Sequence, residues 1–358
     1  MTDSVLTTTP NIPSISVQEN FAQRLLAWFD VHGRHDLPWQ VSDDPYKVWV
    51  SEIMLQQTQV KTVLSYFERF ITRFPTVFDL GRASWDDVAP YWAGLGYYAR
   101  ARNLHQAAGI VAEQGHFPST LDGWIALPGI GRSTAGALMS LGLRQYGVIM
   151  DGNVKRVLSR YYALDGDSTK SAFNDQLWQL ATQLTPHTRT HDYTQAIMDL
   201  GATVCTPKKP LCLYCPCQID CQAYVQGRVL ELPYKPSKKP IPTRYAIALL
   251  LQHDGLTLWQ QRPPHSLWGG LWCLPMIDVA DEQQLPAVIA GLGLPYSQTV
   301  RQIRHTFTHF HWQIQLVTAT PDSDACARIT ETYQPARWLM IPDALAAGVP
   351  EAMRKLLI

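Results

Sequence analysis

The chain has 358 residues, 46% of them hydrophobic, with 30 Lys plus Arg set against 30 Asp plus Glu. That length predicts about two domains, and the apolar fraction describes globular protein instead of disorder. A formal net charge of zero argues against a general polyanion binder, so any nucleic-acid role must rest on local patches: Arg100 with Arg102, Lys155 with Arg156, Lys208 with Lys209. No run approaches the roughly 20 apolar residues that cross a bilayer. The Thr-, Ser- and Pro-rich residues 1–16 lack the basic head and apolar core of an export signal and are expected to form a loose tail.

From about residue 17 to 226 the pattern is helical. Phe21, Leu25, Trp28 and Phe29 form one apolar stripe; Val60, Val63, Leu64, Phe67, Phe70 and Ile71 repeat the spacing, and Val154, Val157, Leu158 and Tyr161 do so again. Breakers stand between: Pro75, Pro90, Gly94-Leu95-Gly96, Pro118, Pro128-Gly129 and Pro186. Prolines then crowd between Pro233 and Pro242, too dense for a helix. Beyond them, apolar runs at 245–251, 256–260, 306–317 and 336–340 read as strands, with a helix over 281–290. The expected organisation is a tail (1–16), an all-helical domain (17–229), a proline-rich linker (230–242) and an α/β domain (243–358).

Five of the seven cysteines fall between Cys205 and Cys221. Without an export signal, disulfides explain them poorly. Cys205, Cys212, Cys215 and Cys221 make the pattern C-x6-C-x2-C-x5-C, a compact loop of four thiolates that suits a [4Fe–4S] cluster better than a zinc knuckle with two separated pairs. Cys217 inside the loop leaves the ligand set ambiguous, while Cys273 and Cys326 read as core. Residues Leu127-Pro128-Gly129-Ile130-Gly131-Arg132-Ser133 read as a helix, a glycine hairpin and a second helix start, whose free N–H groups can hold a phosphate; a plain tight turn looks similar. Asp151-Gly152-Asn153 follows the apolar run 148–150 and precedes a helix. Capping alone would explain it, as a surface position on an amphipathic helix would explain Glu52 within the apolar stretch 48–55. Together, however, two carboxylates are what glycosidic cleavage requires: an acid for the leaving group and an anion for the oxocarbenium-like sugar.

The hairpin, Asp151 downstream of it and the four-cysteine loop together resemble the endonuclease III superfamily of helix–hairpin–helix DNA glycosylases. Leu37-Pro38-Trp39, Ser51-Glu52-Ile53-Met54-Leu55-Gln56-Gln57-Thr58-Gln59, Gly94-Leu95-Gly96-Tyr97-Tyr98-Ala99-Arg100, Leu200-Gly201-Ala202, Leu267-Trp268-Gly269-Gly270-Leu271-Trp272 and Phe307-Thr308-His309 are similar to its adenine DNA glycosylase (MutY) branch. The resemblance implies a helical glycosylase domain with a [4Fe–4S] loop, followed by a Nudix-like α/β domain. It implies double-stranded DNA holding adenine opposite 8-oxoguanine or guanine as partner; with no membrane span or targeting signal in the sequence, a monomer at no membrane and in a bacterial cytoplasmic, nucleoid-associated location is expected.

By the same resemblance Glu52 protonates N7 of adenine, Asp151 stabilises or traps the sugar cation and Asn153 orients that site. Leu55, Gln56, Gln57 and Tyr97 enter the duplex beside the flipped base, and Leu37 and Trp39 lie near its pocket. Gly129, Gly131 and Ser133 belong to the phosphate-holding hairpin, and Lys208 and Lys209 touch phosphates. The lyase branch carries a Schiff-base lysine where this chain has Ser133, so base removal without strand cleavage is expected. The rival is a bifunctional glycosylase/lyase acting on oxidised pyrimidines. After Gly270 only Asp278, Asp281 and Glu282 stand where a Nudix hydrolase needs a carboxylate ladder, which opposes a nucleotide hydrolase. A non-catalytic iron–sulfur DNA binder would not need Glu52 and Asp151. The domain is expected to recognise 8-oxoguanine through Phe307, Thr308 and His309, with Thr308 where serine is more familiar. His305, His309 and His311 alternate as if on one strand face, yet lack a partner ligand for a metal.

Overall fold

The computed structural model describes residues 15–40, 44–237, 240–264, 266–291 and 296–357. The expected tail lies outside them save for Ile15 and Ser16, which already belong to the first helix. The helical part runs α1 (Ile15–His32), α2 (Pro45–Leu55), α3 (Val60–Arg73), α4 (Val77–Arg82), α5 (Trp85–Trp92), α6 (Tyr98–Gln114), α7 (Leu121–Ile125), α8 (Arg132–Ala137), α9 (Gly152–Tyr161), α10 (Ser171–Leu184), α11 (Thr190–Asp199) and α12 (Gln222–Val225). Two π-helical turns, Leu138–Gly142 and Leu200–Val204, extend α8 and α11. Among the described residues no helix is long and apolar enough to cross a membrane.

Local chemistry sets these boundaries. Thr76 and Ser84 cap α4 and α5 in reciprocal boxes with Asp79 and Asp87. Gly115 ends α6 at φ +77°, where a side chain would be strained. One expected breaker does not break: Pro90 lies within α5. It sits in the last turn of a short helix, where its missing N–H removes a single bond and little helix remains to be disrupted.

The described residues form two compact units, one from Met1–Glu52 and Pro118–Ser237, the other from Ile53–Phe117 and Lys238–Ile358. In the first, Phe21 of α1 packs edge-on against Tyr161 of α9 with ring centroids 4.7 Å apart, and Trp49 meets Trp124 at 5.5 Å. Leu25, Phe29, Val154, Val157 and Leu158 are buried as their spacing predicts. The chain from Leu232 to Tyr234 is tied to this unit, since the buried Arg160 donates to the Leu232 carbonyl (3.0 Å) and Ser168 N–H to that of Tyr234 (3.0 Å).

In the second unit Val63, Phe67 and Phe70 of α3 bury their stripe against α5, Phe70 meeting Trp92 at 5.9 Å; Leu64 stays at the surface. The C-terminal part is a mixed sheet of β1 (Thr243–His253), β2 (Leu256–Gln261), β3 (Trp272–Cys273), β4 (Met276–Val279), β5 (Tyr296–Thr306), β6 (His311–Ala319) and β7 (Ala336–Leu339). Its main path is β3-β2-β1-β6-β5, with β4 beside β1 and β7 beside β2. β1 and β6 run parallel, Ile247 opposite Gln315. Ile247, Leu249, Leu251, Leu258 and Val317 make its core. Helices α13 (Leu285–Gly291), α14 (Ser323–Thr332), α15 (Ile341–Ala346) and α16 (Glu351–Leu357) complete it. The run 306–317, expected as one strand, is instead the end of β5, a turn and β6: Phe307 N–H donates to Phe310 C=O (2.9 Å) and Thr306 pairs with His311.

Candidate active site

Glu52 lies in the last turns of α2, among the buried Trp49, Ile53 and Met54. Its residual surface faces an internal cavity lined by Trp39, Gln40, Leu141, Arg144, His191 and Gln195. That cavity leaves ≈ 10 Å³ for water centres, about the room of one water. Enclosure pushes the Glu52 carboxyl up to about 7, and the negative charge of Asp151 pushes the same way. Trp39 is buried and lines this cavity; Leu37, also buried, does not. Arg144, His191 and Gln195 were invisible to sequence reasoning, because no local pattern marks side chains that converge on α2 from separate segments.

Asp151 is the N-cap of α9. Its Oδ1 accepts the N–H groups of Asn153 (3.0 Å) and Val154 (2.8 Å), and its Oδ2 accepts from Asn153 Nδ2 (3.1 Å). The Asp151 carboxyl lies above its ordinary value: burial raises it by more than these donors and the Arg156 charge pull it down. Asn153 in turn accepts from Arg156 Nη2 (2.8 Å), and Arg156 also donates to the carbonyls of Gly201 (2.6 Å) and Cys205 (2.7 Å). Gly201 is needed for this packing, since a Cβ there would stand 2.5 Å from Asn153 Cβ. The Leu200-Gly201-Ala202 motif carried that signal without showing its purpose.

The hairpin between α7 and α8 turns at Gly129 (φ +77°), where glycine is required. Gly131, at the start of α8, faces open space. Ser133 accepts the N–H of Met150 (3.0 Å) through its hydroxyl, which ties the hairpin to the residue before Asp151. A Cβ on Gly136 would meet the Val148 carbonyl at 1.9 Å, so the two backbones touch here.

Within the second unit, Arg100 on α6 gathers the segment after α2. Its guanidinium donates to the carbonyls of Ile53 (2.9 Å), Met54 (3.1 Å) and Gln56 and lies over the Tyr97 ring at 5.1 Å. Leu55 and Gln56 are half-buried, and Gln57 (φ +59°) and Tyr97 (φ +50°) are exposed in left-handed conformations. The candidate basic patches Arg100 with Arg102 and Lys155 with Arg156 have protein partners in this structure. Arg100, Arg102 and Arg156 spend their guanidiniums on protein carbonyls, Arg102 on that of Gly269, and Lys155 donates to Ser168 C=O (2.8 Å). Lys208 and Lys209 are exposed.

Cys205, Cys212, Cys215 and Cys221 line one cavity together with Arg160. Cys217 is buried and does not line it. Arg160 is 2% exposed, and its partners are the carbonyls of Cys205, Thr206, Pro207 and Leu232 and the Cys205 sulfur at 3.3 Å. A buried cation bonded to no carboxylate calls for an anion in the cavity it faces. Among the described residues no three Cys, His, Asp or Glu side chains converge tightly enough for a single metal ion, whereas a polynuclear cluster bridges a wider ring of sulfurs. The donor set fits [4Fe–4S].

In the C-terminal domain Phe307 is half-buried, and Thr308 and His309 are exposed at the tip of the β5–β6 turn. The three histidines do not share a strand face. His305 ends β5 against Trp268 (5.8 Å), His309 packs on Phe310 (4.9 Å), and His311 starts β6 bonded to Thr306 Oγ1 (2.9 Å). Asp281 caps a 3-10 turn through the N–H of Gln284 (3.1 Å).

Residues 50–183 match the HhH-GPD superfamily of base excision DNA repair proteins, and residues 246–358 match the NUDIX domain. The adenine DNA glycosylase of Buchnera aphidicola subsp. Schizaphis graminum is 35% identical over 94% of this chain and 97% of its own length; that of Homo sapiens is 34% identical over 94% and 73%. A thermostable thymine-DNA glycosylase superposes on 59% of this chain and 98% of its own, with TM-score 0.53 and 26% identity. An HhH-GPD region followed by a NUDIX region, with relatives 34–35% identical over 94% of the sequence, shows that the chain belongs to the adenine DNA glycosylase family.

Proposed function

We propose that this chain hydrolyses the N-glycosidic bond of adenine mispaired with 8-oxoguanine or guanine in double-stranded DNA, and leaves the abasic strand uncut. One observation carries the reading: Glu52 is held near neutrality by enclosure and by the charge of Asp151, which is itself pinned by three donors. Two carboxylates so tuned divide the work of glycosidic cleavage. Glu52, raised to about 7, retains a protonated fraction at neutral pH that can deliver its proton to N7 of the flipped adenine, making the base a better leaving group. Asp151, fixed by the α9 amides and Asn153, in its ionised form faces the cation that develops on the sugar until water adds. Arg156 holds Asn153 and therefore Asp151 in register.

Ser133 supports the uncut product, because its hydroxyl is engaged by Met150 N–H and no amine stands there to form a Schiff base. Gly129, Gly131 and Ser133 offer the hairpin to phosphates, as Lys208 and Lys209 do from the cysteine loop. Trp39 borders the base pocket, whereas Leu37 does not line it. Leu55, Gln56, Gln57 and Tyr97 fill the space left in the duplex, and Phe307, Thr308 and His309 read 8-oxoguanine. Cys205, Cys212, Cys215 and Cys221 would hold a [4Fe–4S] cluster, which when bound supplies a rigid anionic anchor beneath Arg160. We further read residues 17–229 as the glycosylase domain, 230–242 as a linker and 243–358 as the recognition domain of a monomer working in the bacterial cytoplasm at the nucleoid.

A duplex with one adenine opposite 8-oxoguanine, incubated with the protein and analysed with and without hot alkali, tests this. Breakage only after alkali is expected. Breakage without alkali would place the chain among lyases, and none in either lane would overturn the substrate.

A further inference from the structure

One short strap joins the lesion-reading turn to the helices of the same compact unit. Trp85 Nε1–H, at the start of α5, donates to the Gly270 carbonyl (2.8 Å), and Arg102 on α6 donates to that of Gly269. Gln261 Nε2 adds bonds to Gly270 C=O (3.2 Å) and to Asp86 Oδ1 (3.1 Å). The strap admits no side chain at these positions: a Cβ on Gly270 (φ +76°) would lie 2.6 Å from Trp85 Nε1, and one on Gly269 would lie 2.2 Å from the Pro264 carbonyl. The next residue back, Trp268, is buried in the left-handed region (φ +57°), a conformation a bulky residue keeps only when its surroundings hold it there. Its ring meets those of His305 (5.8 Å), Phe307 (5.9 Å) and Trp312 (5.0 Å), which form the base of the turn bearing Thr308 and His309.

The helix on the other side of the strap has a second duty. At its start α6 carries Tyr97 as N-cap, and Arg100 there gathers the segment holding Leu55 and Gln56. Two residues on, Arg102 grips the strap. The segment assigned to the gap in the duplex and the turn assigned to 8-oxoguanine are therefore both hung from the first turns of α6.

We propose that Trp85 and Arg102 are positioning residues for lesion discrimination: through Gly269, Gly270 and Trp268 they fix the Phe307–Thr308–His309 turn relative to the 55–57 and Tyr97 segment, so that preference for 8-oxoguanine over guanine depends on two side chains that touch neither base. This rests on the function proposed above. A loosened strap leaves the proton donor and Asp151 in place, and weakens only the advantage that 8-oxoguanine confers.

The test uses the full-length, cluster-loaded protein and single-turnover adenine release opposite 8-oxoguanine and opposite guanine. Trp85→Phe keeps the ring and removes the donor; Arg102→Met keeps the length and removes the charge; Arg102→Lys restores one donor toward Gly269. In Trp85→Phe and in Arg102→Met the ratio of the two rates at subsaturating enzyme is expected to fall about tenfold, the effect of one buried hydrogen bond. The rate opposite guanine should stay within about twofold of the unaltered chain, with Arg102→Lys recovering most of the ratio. An equal loss on both substrates, or an unchanged ratio in both variants, overturns the proposal. Thr308→Ala separates the two levels. If it abolishes the ratio while Trp85→Phe and Arg102→Met do not, the strap fails and the recognition reading survives. If the unaltered chain has no preference for 8-oxoguanine, both fall.

Discussion

Replacing Glu52 with Gln removes the one carboxyl in the active site whose proton is held to about 7 from an ordinary value of 4.5. At about 1.4 kcal/mol per unit of displacement, the ionised form costs the fold at most about 3.5 kcal/mol, with enclosure as the larger cause and the charge of Asp151 as the smaller. The folded-state value lies above the unfolded one, so Glu52 contributes stability that is fully present below about pH 4.5 and is lost as pH rises through about 7. Glu52→Gln cannot ionise and escapes that loss. Its thermal midpoint relative to the unaltered chain should rise by on the order of 5 °C between about pH 5 and about pH 8, matching about 2 kcal/mol. Adenine release should vanish in the variant, and in the unaltered chain the single-turnover rate should fall as pH rises through about 7. Midpoint curves that stay parallel across this range would refute the burial argument. A rate that holds steady to about pH 8.5 would refute Glu52 as proton donor.

Asp151→Asn should separate catalysis from folding. Asn is as strong an N-cap as Asp, so the thermal midpoint is expected within about 2 °C of the original while base release falls by about a thousandfold; Asp151→Ala should lose activity and about 1 kcal/mol of stability together. Cys212→Ala should lower bound iron from about four atoms per chain and remove the visible absorption of the cluster, whereas Cys217→Ala should leave both intact. About one zinc per unaltered chain would refute the cluster.

Much of this architecture was legible because its signals are local. The α9 cap can be read from Asp151-Gly152-Asn153, the hairpin from its glycines and the loop from four clustered cysteines. The failures have physical causes as well. Arg100, Arg102 and Arg156 look like phosphate contacts when counted as charges, yet each is consumed by carbonyls supplied from distant segments. The β5–β6 turn was missed because Phe307-Thr308-His309-Phe310 contains no glycine, proline or asparagine, and apolar alternation runs straight through it. Much of β5 was hidden by polarity, since Arg301, Gln302, Arg304 and His305 give no apolar run to detect. Arg160 drew no notice as one more basic residue on α9, although its burial is what asks for an anion among the cysteines.

The π-helical turn Leu200–Val204 closes with Cys205 N–H donating to Leu200 C=O at 2.7 Å, five residues back instead of four. Each residue of an α-helix advances the chain by about 100°, so the extra residue acts as an offset in helical phase. Deleting any one residue there would restore an ordinary helix and swing Cys205 about a quarter-turn from its present bearing. Its carbonyl would leave Arg156 and its sulfur would leave the ring of four, although every cysteine remained. The proposed cluster site is thus encoded partly in the winding of the helix that precedes the loop, and a spacing motif that counts only cysteines would score such a deletion as harmless.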